Sequence, residues 1–475
     1  MAARTSHRLG VAPLGLVGAA VLAGQSIFPS EVETASPVVL LGSEAPLPGV
    51  ANIMGGSGTP LPDASMTAAA YKYLDPHGFA AYTANSLFTP EGFSGVETPV
   101  KSLPVDTSIA QGRQILDSTV ESQVAAGQHV VVLGYSQSAT IASLAMTDLA
   151  NAGIPKDYLS FVLLGDPSNP NGGLLERFGD PSLPYLTVPS LGVTFTGATP
   201  VDTDYSTNIY TGEYDGFADF PRYPINFLSD LNAMFGILYV HLEYADLTPE
   251  QIAAAQLLPG SAELTGEGAT NYWMIPTQTL PLLAPLLAIP VIGKPIYDPL
   301  EPDMRVLVNL GYGSITDGWD SGPANVATPV GLWPTNVNPT DIFQALGTEA
   351  ETGIRNFVND LQNLNLPDLS SMLTADSLPG LDATSPDDVL TMLTNVVNDL
   401  SGGASSLYST LLSTADIINA ELTSLPMYCV NLFSQYLAQG DLLDAIGMPV
   451  AAAVGLGTVL AASEVLSLLT ATGQF

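Results

Sequence analysis

Apolar residues along the chain follow two rhythms: short continuous runs bounded by glycine or proline, and longer stretches where apolar positions recur every three or four residues. Val50-Ala51-Asn52-Ile53-Met54 is a run of the first kind and stops at Gly55-Gly56-Ser57-Gly58-Thr59-Pro60. A run that short ending in glycines predicts a buried strand feeding a tight loop. Residues 107–127 have helical spacing and end on Gly127, a helix stop. His129-Val130-Val131-Val132-Leu133 is continuous and β-branched, as in parallel strands buried on both faces. Thr140 to Leu149, rich in Ala, Leu and Met, reads as a helix closing at Asn151-Ala152-Gly153, and Tyr158–Leu164 and Ser206–Thr211 read as the next strands. Strands alternating with helices predict right-handed βαβ units: an α/β fold with a parallel sheet flanked by helices.

Two further stretches break this alternation. Residues 274–300 are intensely apolar but repeatedly interrupted by proline, which argues against a long helix. They predict an irregular buried cap over about 245–305, with a mobile lid or acyl-binding surface as the alternative. From about 350 onward, Ile354–Leu364 and Val389–Leu400 show helical periodicity between Pro/Ser/Asp-rich breaks, and 448–470 is mostly apolar but holds Glu464 and two glycines. That last stretch reads as a buried or partner-facing helix more readily than as a membrane span. The division expected is 45–345 for the α/β domain and 350–475 for a helical region of unknown role.

Composition narrows the function. The 475 residues carry 46 acidic against 11 basic side chains, a net charge of −35. So few Lys and Arg cannot replace phosphate counterions along a nucleic acid, and attraction of the protein body to anionic lipid is likewise disfavoured. The acidity fits solubility of an exported protein. The single cysteine, Cys429, excludes an intrachain disulfide and a thiolate metal cluster, and its apolar neighbours mark it as an inert thiol. At the N-terminus, Arg4, His7 and Arg8 precede the apolar stretch Leu9–Gly24. Residues 1–30 therefore read as a secretion signal or an N-terminal membrane anchor, placing the protein outside the cell or in its envelope.

The chemistry centres on Gly134-Tyr135-Ser136-Gln137-Ser138, between the strand ending at Leu133 and the helix that follows. A serine hydroxyl is a weak nucleophile and needs an adjacent base, and hydrolases display it on a sharp strand-to-helix turn flanked by small residues. Ser136 is thus the candidate nucleophile, although Ser138 stands where such motifs usually end in glycine. The N–H of Gln137, at the helix start, is one candidate oxyanion donor. The glycine-rich loop at 55–58 supplies the second, Ser57 or Gly58. Of the four histidines, His7 lies in the leader, His77 well before the nucleophile, and His129 at the far end of the nucleophile's own strand. That leaves His241 as base, in the chain order Ser, acid, His. Asp215, just after the strand Ser206–Thr211, suits the acid that orients the imidazole. Asp166 and Asp219 are its rivals, with local turn roles as the alternative. Such a mechanism requires no metal or organic cofactor.

The blocks MGGSGTPLP, GYSQSA, GDPSNPNGG, YTGEYDGFADFPRYP, LPLLAPLLAIPVIGKP and VNLGYG occur in that order over about 50–345. Together they resemble the PE-PPE domain of mycobacteria and their relatives, which is similar to cutinases and other α/β hydrolases; the Tyr-Ser-Gln of GYSQS is itself cutinase-like. The resemblance implies a serine esterase for short- to medium-chain or lipid esters. An acyltransferase acting on envelope glycolipids such as trehalose esters is the second implication. It carries the triad roles to Ser136, Asp215 and His241. Ahead of this domain, where a helical PE or PPE module is often found, the expectation here is the export-like leader. A non-catalytic envelope protein that uses the fold as a scaffold is the contrasting expectation.

Overall fold

A computed structural model describes residues 49–363 and 408–471, apart from 100, 180–182, 184 and 409. All of them belong to one compact unit, Leu47–Phe475. The leader and the helix expected over Val389–Leu400 lie outside the described residues.

The sheet is built from β1 (Val50–Ile53), β2 (Thr83–Ser86), β3 (Val130–Tyr135), β4 (Leu159–Leu164), β7 (Ser206–Gly212), β8 (Gln256–Leu257) and β9 (Thr270–Ile275), while β5 (Thr187–Val188) and β6 (Val193–Thr194) form a separate two-stranded ribbon. The order in the sheet is β2-β1-β3-β4-β7-β9-β8, parallel throughout except at the β8–β9 edge. β1 to β9 thus give the α/β arrangement that the alternating pattern predicts. The register of β3 shows why its sequence is β-branched without alternation. Val130 and Val132 enter the core on one face, with Leu116, Ile141 and Phe161. Val131 and Leu133 enter the core on the other, with Tyr73, Leu74 and Tyr210. A strand apolar on both faces is stable only where helices cover both.

The longer helices are α1 (Ala64–Leu74), α2 (Val105–Ala125), α3 (Gln137–Asn151), α4 (Phe227–Tyr239), α5 (Gly293–Asn309), α6 (Pro339–Asn363), α7 (Ser424–Gln439) and α8 (Leu442–Ala471), with a further helical stretch at 410–422 and shorter helical turns elsewhere. β1 is paired with β2 on one side and β3 on the other, so the chain reverses its direction of progress between β1 and β3. In open α/β sheets the C-terminal ends of the strands at such a switch point leave a crevice. The loops after β1 and β3 meet there.

One stretch departs from the expectation for it. Within 245–305, β8 and β9 join the main sheet, and residues 293–309 form α5 despite the prolines. Pro299 and Pro302 lie inside α5, each giving up one backbone hydrogen bond. Long packing against α6, with Pro302 itself buried, holds the helix together. At the far end, α7 and α8 form an antiparallel hairpin, capped by Gly440 in the left-handed conformation. Tyr428, Leu432, Met448, Ala452 and Leu456 bury against Phe178, Phe220, Ala233 and Met234 of the α/β layer. Close approach requires small residues on α8. A side-chain carbon on Gly455 would come within 2.8 Å of Pro224 and 3.0 Å of Phe178.

Candidate active site

The turn between β3 and α3 forces Ser136 into φ 57°, ψ −118°, a region non-glycine residues avoid. Such strain persists only where neighbours over-determine it. The Tyr135 N–H donates to Ser138 Oγ at 2.9 Å, and Ser138 Oγ donates to the Tyr135 carbonyl at 3.1 Å, closing the turn on itself. The serine found in place of the usual last glycine therefore staples the turn. Gly134 is the position that admits no side chain: a Cβ there would sit 2.6 Å from the Ser138 carbonyl oxygen and 2.9 Å from the backbone of Ala139.

His241 follows α4 in a single 3₁₀ turn, His241–Glu243, and is buried. Its Nε2 lies 2.8 Å from Ser136 Oγ, and its Nδ1 lies 2.9 Å and 2.8 Å from the two oxygens of Asp215. An ionised carboxylate can only accept, so Nδ1 carries the proton and Nε2 faces the serine as an acceptor. Asp215 is fully buried, and its oxygens are well supplied. Oδ1 accepts from the N–H groups of Phe217 at 2.9 Å and Ala218 at 3.3 Å, and Oδ2 accepts from Tyr244 Oη at 2.8 Å.

The other two carboxylates lie apart from the imidazole. Asp166 accepts from the Ser168 N–H at 2.9 Å and from Thr199 Oγ1 at 2.6 Å, and burial pushes its pKa up to about 6. Asp219 accepts from the Tyr214 N–H at 2.9 Å, with burial pushing its carboxyl well above the usual range. His77 pairs with the Tyr210 hydroxyl at 2.8 Å, and His129 stacks on Tyr158 at 4.5 Å.

Of the candidate oxyanion groups, Gln137 is the first residue of α3, so its N–H has no partner within the helix and points out of its N-terminus. Its side chain is locked. Oε1 accepts from Ser108 Oγ at 2.7 Å, while Nε2 donates to the Gly92 carbonyl at 3.0 Å and to Ser57 Oγ at 3.1 Å. Ser57 is thereby held beside the start of α3. Gly58 is not available in the same way, because its N–H already donates to the Glu91 carbonyl at 2.8 Å. The loop approaches closely through Gly56, where a Cβ would sit 3.2 Å from Ser136 Cβ.

Three aromatic residues that the sequence reading passed over complete the site. Tyr244 bridges Asp215 and the Gly212 N–H, the latter at 2.7 Å. Tyr135 donates to the His241 carbonyl at 2.6 Å and stacks on its ring at 5.4 Å, and Phe217 meets that ring edge-on at 4.9 Å. Burial, with the Asp215 charge adding to it, raises the hydroxyls of both Tyr135 and Tyr244, so both stay protonated donors. Tyr244 lies three residues after His241, and Tyr135 and Phe217 lie beside the motif serine and acid; adjacency was the only available signal. Glu97 also faces the site, its carboxyl raised by burial and partly offset by a hydrogen bond with Ser57. Among the described residues no His, Cys, Asp and Glu cluster is arranged to hold a metal ion.

Ser136 and Gln137 open into a cavity of about 440 Å³ lined mainly by aliphatic and aromatic side chains. None of its lining comes from 245–305, the span expected to form a cap or acyl-binding surface; its far wall is α7 and α8. The cap span instead packs through Leu280 and Leu283 around Tyr214, Tyr297 and Tyr312, in a separate core.

The parallel sheet and the strained serine turn define an α/β-hydrolase-like protein. Residues 80–313 match the PE-PPE domain. It is 44% identical over 438 residues to the uncharacterized PPE family protein PPE28 of Mycobacterium tuberculosis, covering 88% of this chain and 65% of PPE28. It is 46% identical over 300 residues to Esterase PE16 of the same organism, covering 62% of this chain and 53% of PE16. The SL1278 acyltransferase Chp1, also from M. tuberculosis, is 28% identical over 252 residues, covering 52% of this chain and 55% of Chp1. The chain thus spans less than two thirds of the length of each of these relatives.

Proposed function

We propose that the protein is a serine esterase that cleaves carboxylic esters through an acyl-enzyme, with Ser136 as nucleophile, His241 as base and Asp215 as orienting acid. The observation that carries the reading is the unbroken line from Ser136 Oγ through the His241 imidazole to the buried Asp215 carboxylate. In the first half-reaction Ser136 Oγ attacks the ester carbonyl as His241 Nε2 takes its proton. Asp215 steadies the imidazolium that forms. The carbonyl oxygen, now negative, is met by the Gln137 N–H at the helix N-terminus and by a donor from the Ser57 loop. Collapse expels the alcohol, which receives the proton from His241. Water, deprotonated by the same nitrogen, then releases the acid and restores the serine.

The identity with Esterase PE16 supports hydrolysis. The identity with an acyltransferase supports a second reading, in which the hydroxyl of an envelope glycolipid replaces water as acceptor. The two share the acyl-enzyme and differ in what reaches it. The apolar run Leu9–Gly24 is the basis for proposing action outside the cytoplasm, in the envelope or beyond it.

Labelling of the purified protein with a fluorophosphonate, followed by peptide mapping, tests the reading. Modification at Ser136 that both Ser136→Ala and His241→Ala abolish is the expected result. A folded protein that is not labelled, or is labelled at another serine, overturns it. With a labelled enzyme, incubation of an acyl ester with trehalose separates the readings: free acid in excess marks the hydrolase, acylated sugar in excess the transferase.

A further inference from the structure

We propose that the cavity beside Ser136 holds one long acyl chain, and that the C-terminal hairpin α7–α8, outside the PE-PPE domain, forms the wall that sets how long that chain can be. The proposal rests on the esterase reading for the chemistry at Ser136 and deepens it by naming the substrate class.

The cavity is shared between two parts of the molecule. On the domain side stand Phe93, Leu175, Val188, Phe217 and Met234, and on the hairpin side Leu425, Leu456, Val459, Leu460 and Leu466. Its lining includes both Ser136 and, on the last turns of α8, Leu469. A volume of about 440 Å³ is within the range of ligand-sized pockets.

What occupies it follows from the walls. The hydroxyls on α8 that reach the cavity are spent on their own helix: Thr458 Oγ1 donates to the Val454 carbonyl at 2.8 Å and Ser463 Oγ to the Val459 carbonyl at 2.9 Å. On the domain side Asp106 is taken up by the Thr194 N–H and hydroxyl, both at 2.9 Å. A sugar entering this mainly aliphatic wall would lose its water with few polar groups to replace it, a penalty a hydrocarbon does not face. Polar groups placed for an ester lie instead at the Ser136 end, where Ser57 and Gln137 are bonded to each other. A polar end at the nucleophile and an apolar extension along the hairpin match an acyl chain with its carbonyl at Ser136.

The hairpin is suited to be the measuring wall. Its other side is fixed by Tyr428, Leu432 and Met448 in the core, so the cavity face is held in place. Leu443 and Ile446 point to solvent, 73% and 68% exposed, and serve as internal controls.

The experiment uses the full chain and two readouts: titration with a fluorescent hexadecanoic acid, and kcat/KM for p-nitrophenyl palmitate relative to p-nitrophenyl acetate. Val459→Trp, which fills the cavity, is expected to weaken probe binding and lower the palmitate-to-acetate ratio by about tenfold, the weight of a few CH₂ groups turned out of an apolar lining. Leu466→Ala, which enlarges it, is expected to move the ratio the opposite way, and Leu443→Ser is expected to leave both readouts as in the parent. Circular dichroism establishes that each variant is folded, and Leu466→Ala carries the test if Val459→Trp is not. A parent that does not bind the probe, or cavity variants that match it in both readouts, overturns the proposal. Probe binding that follows the pattern in a protein without ester turnover sinks the esterase reading and leaves the acyl site standing. Turnover with an unchanged ratio in the cavity variants does the reverse.

Discussion

Ser136 shows how much a single residue owes to its surroundings. Its positive φ is held by Ser138, Gly134 and the close approach of Gly56, and its hydroxyl meets the His241 imidazole only because a chain segment more than a hundred residues later returns to it. Tyr244 acts at one remove, donating to Asp215 while accepting from Gly212. Tyr244→Phe removes that donor and is expected to lower kcat by about tenfold with KM little changed. That loss is on the order of the ~1.5 kcal/mol that a hydrogen bond to a charged group contributes, and steady-state kinetics on a p-nitrophenyl ester measures it. Rates as in the parent would show that the backbone N–H groups of Phe217 and Ala218 hold Asp215 unaided. Glu91 gives a pH prediction with a definite sign. Burial pushes its carboxyl from 4.5 up to about 8, only partly relieved by Thr89. The folded state therefore favours the protonated form. The stability this gives is fully present below pH 4.5 and is lost as pH rises toward 8. Glu91→Gln should raise Tm progressively across that window and by a constant amount above it, as thermal melts at a series of pH values would show. A Tm difference that does not vary with pH would refute the assignment.

At the scale of elements, each site residue sits at the end of a strand or helix that the core holds rigid. Ser136 ends β3, Asp215 follows β7, and His241 follows α4. The parallel order brings the first two to the same edge of the sheet, since β4 alone separates β3 from β7. α4 also lines the cavity through Phe227, Met234 and Leu238, so the helix that leads into His241 borders that cavity. The hairpin α7–α8 completes that space from outside the matched domain. α8 is long and apolar enough to cross a membrane by length and composition, yet Met448, Ala452 and Leu456 bury into the α/β layer. Part of its hydrophobicity goes into the core and the cavity wall, and the two cavity variants on α8 test a binding role there directly.

For the whole molecule the dominant quantity is charge. With 46 acidic and 11 basic side chains, the folded chain carries a net −35 and concentrates that charge more than the unfolded chain does. Raising sodium chloride from low to moderate concentration should therefore raise Tm, because added ions screen the repulsion within about 10 Å at 0.1 M. Calorimetry over a salt series reads this, and a Tm that falls or stays level would show that ion pairs such as Arg222–Asp320 matter more than net repulsion.

The sequence by itself determined the local chemistry. β-branched runs fix buried parallel strands because such residues pack on a surface covered on both sides. The glycine and small residues around Ser136 are legible because only they tolerate that backbone. The scarcity of histidine pointed to His241 by elimination. What it could not decide was anything that depends on distance through space. Asp166, Asp215 and Asp219 all follow strands or turns of similar composition, and only the packing of α4 puts the imidazole 2.8–2.9 Å from Asp215. Gly58 reads as a free donor until the loop brings its N–H to the Glu91 carbonyl. The prolines of 293–309 argued against a helix that tertiary packing sustains, and an apolar C-terminal stretch gave no sign of facing Ser136. Local rules set which conformations a segment can adopt; which segments meet is decided by the burial of surfaces far apart in the chain.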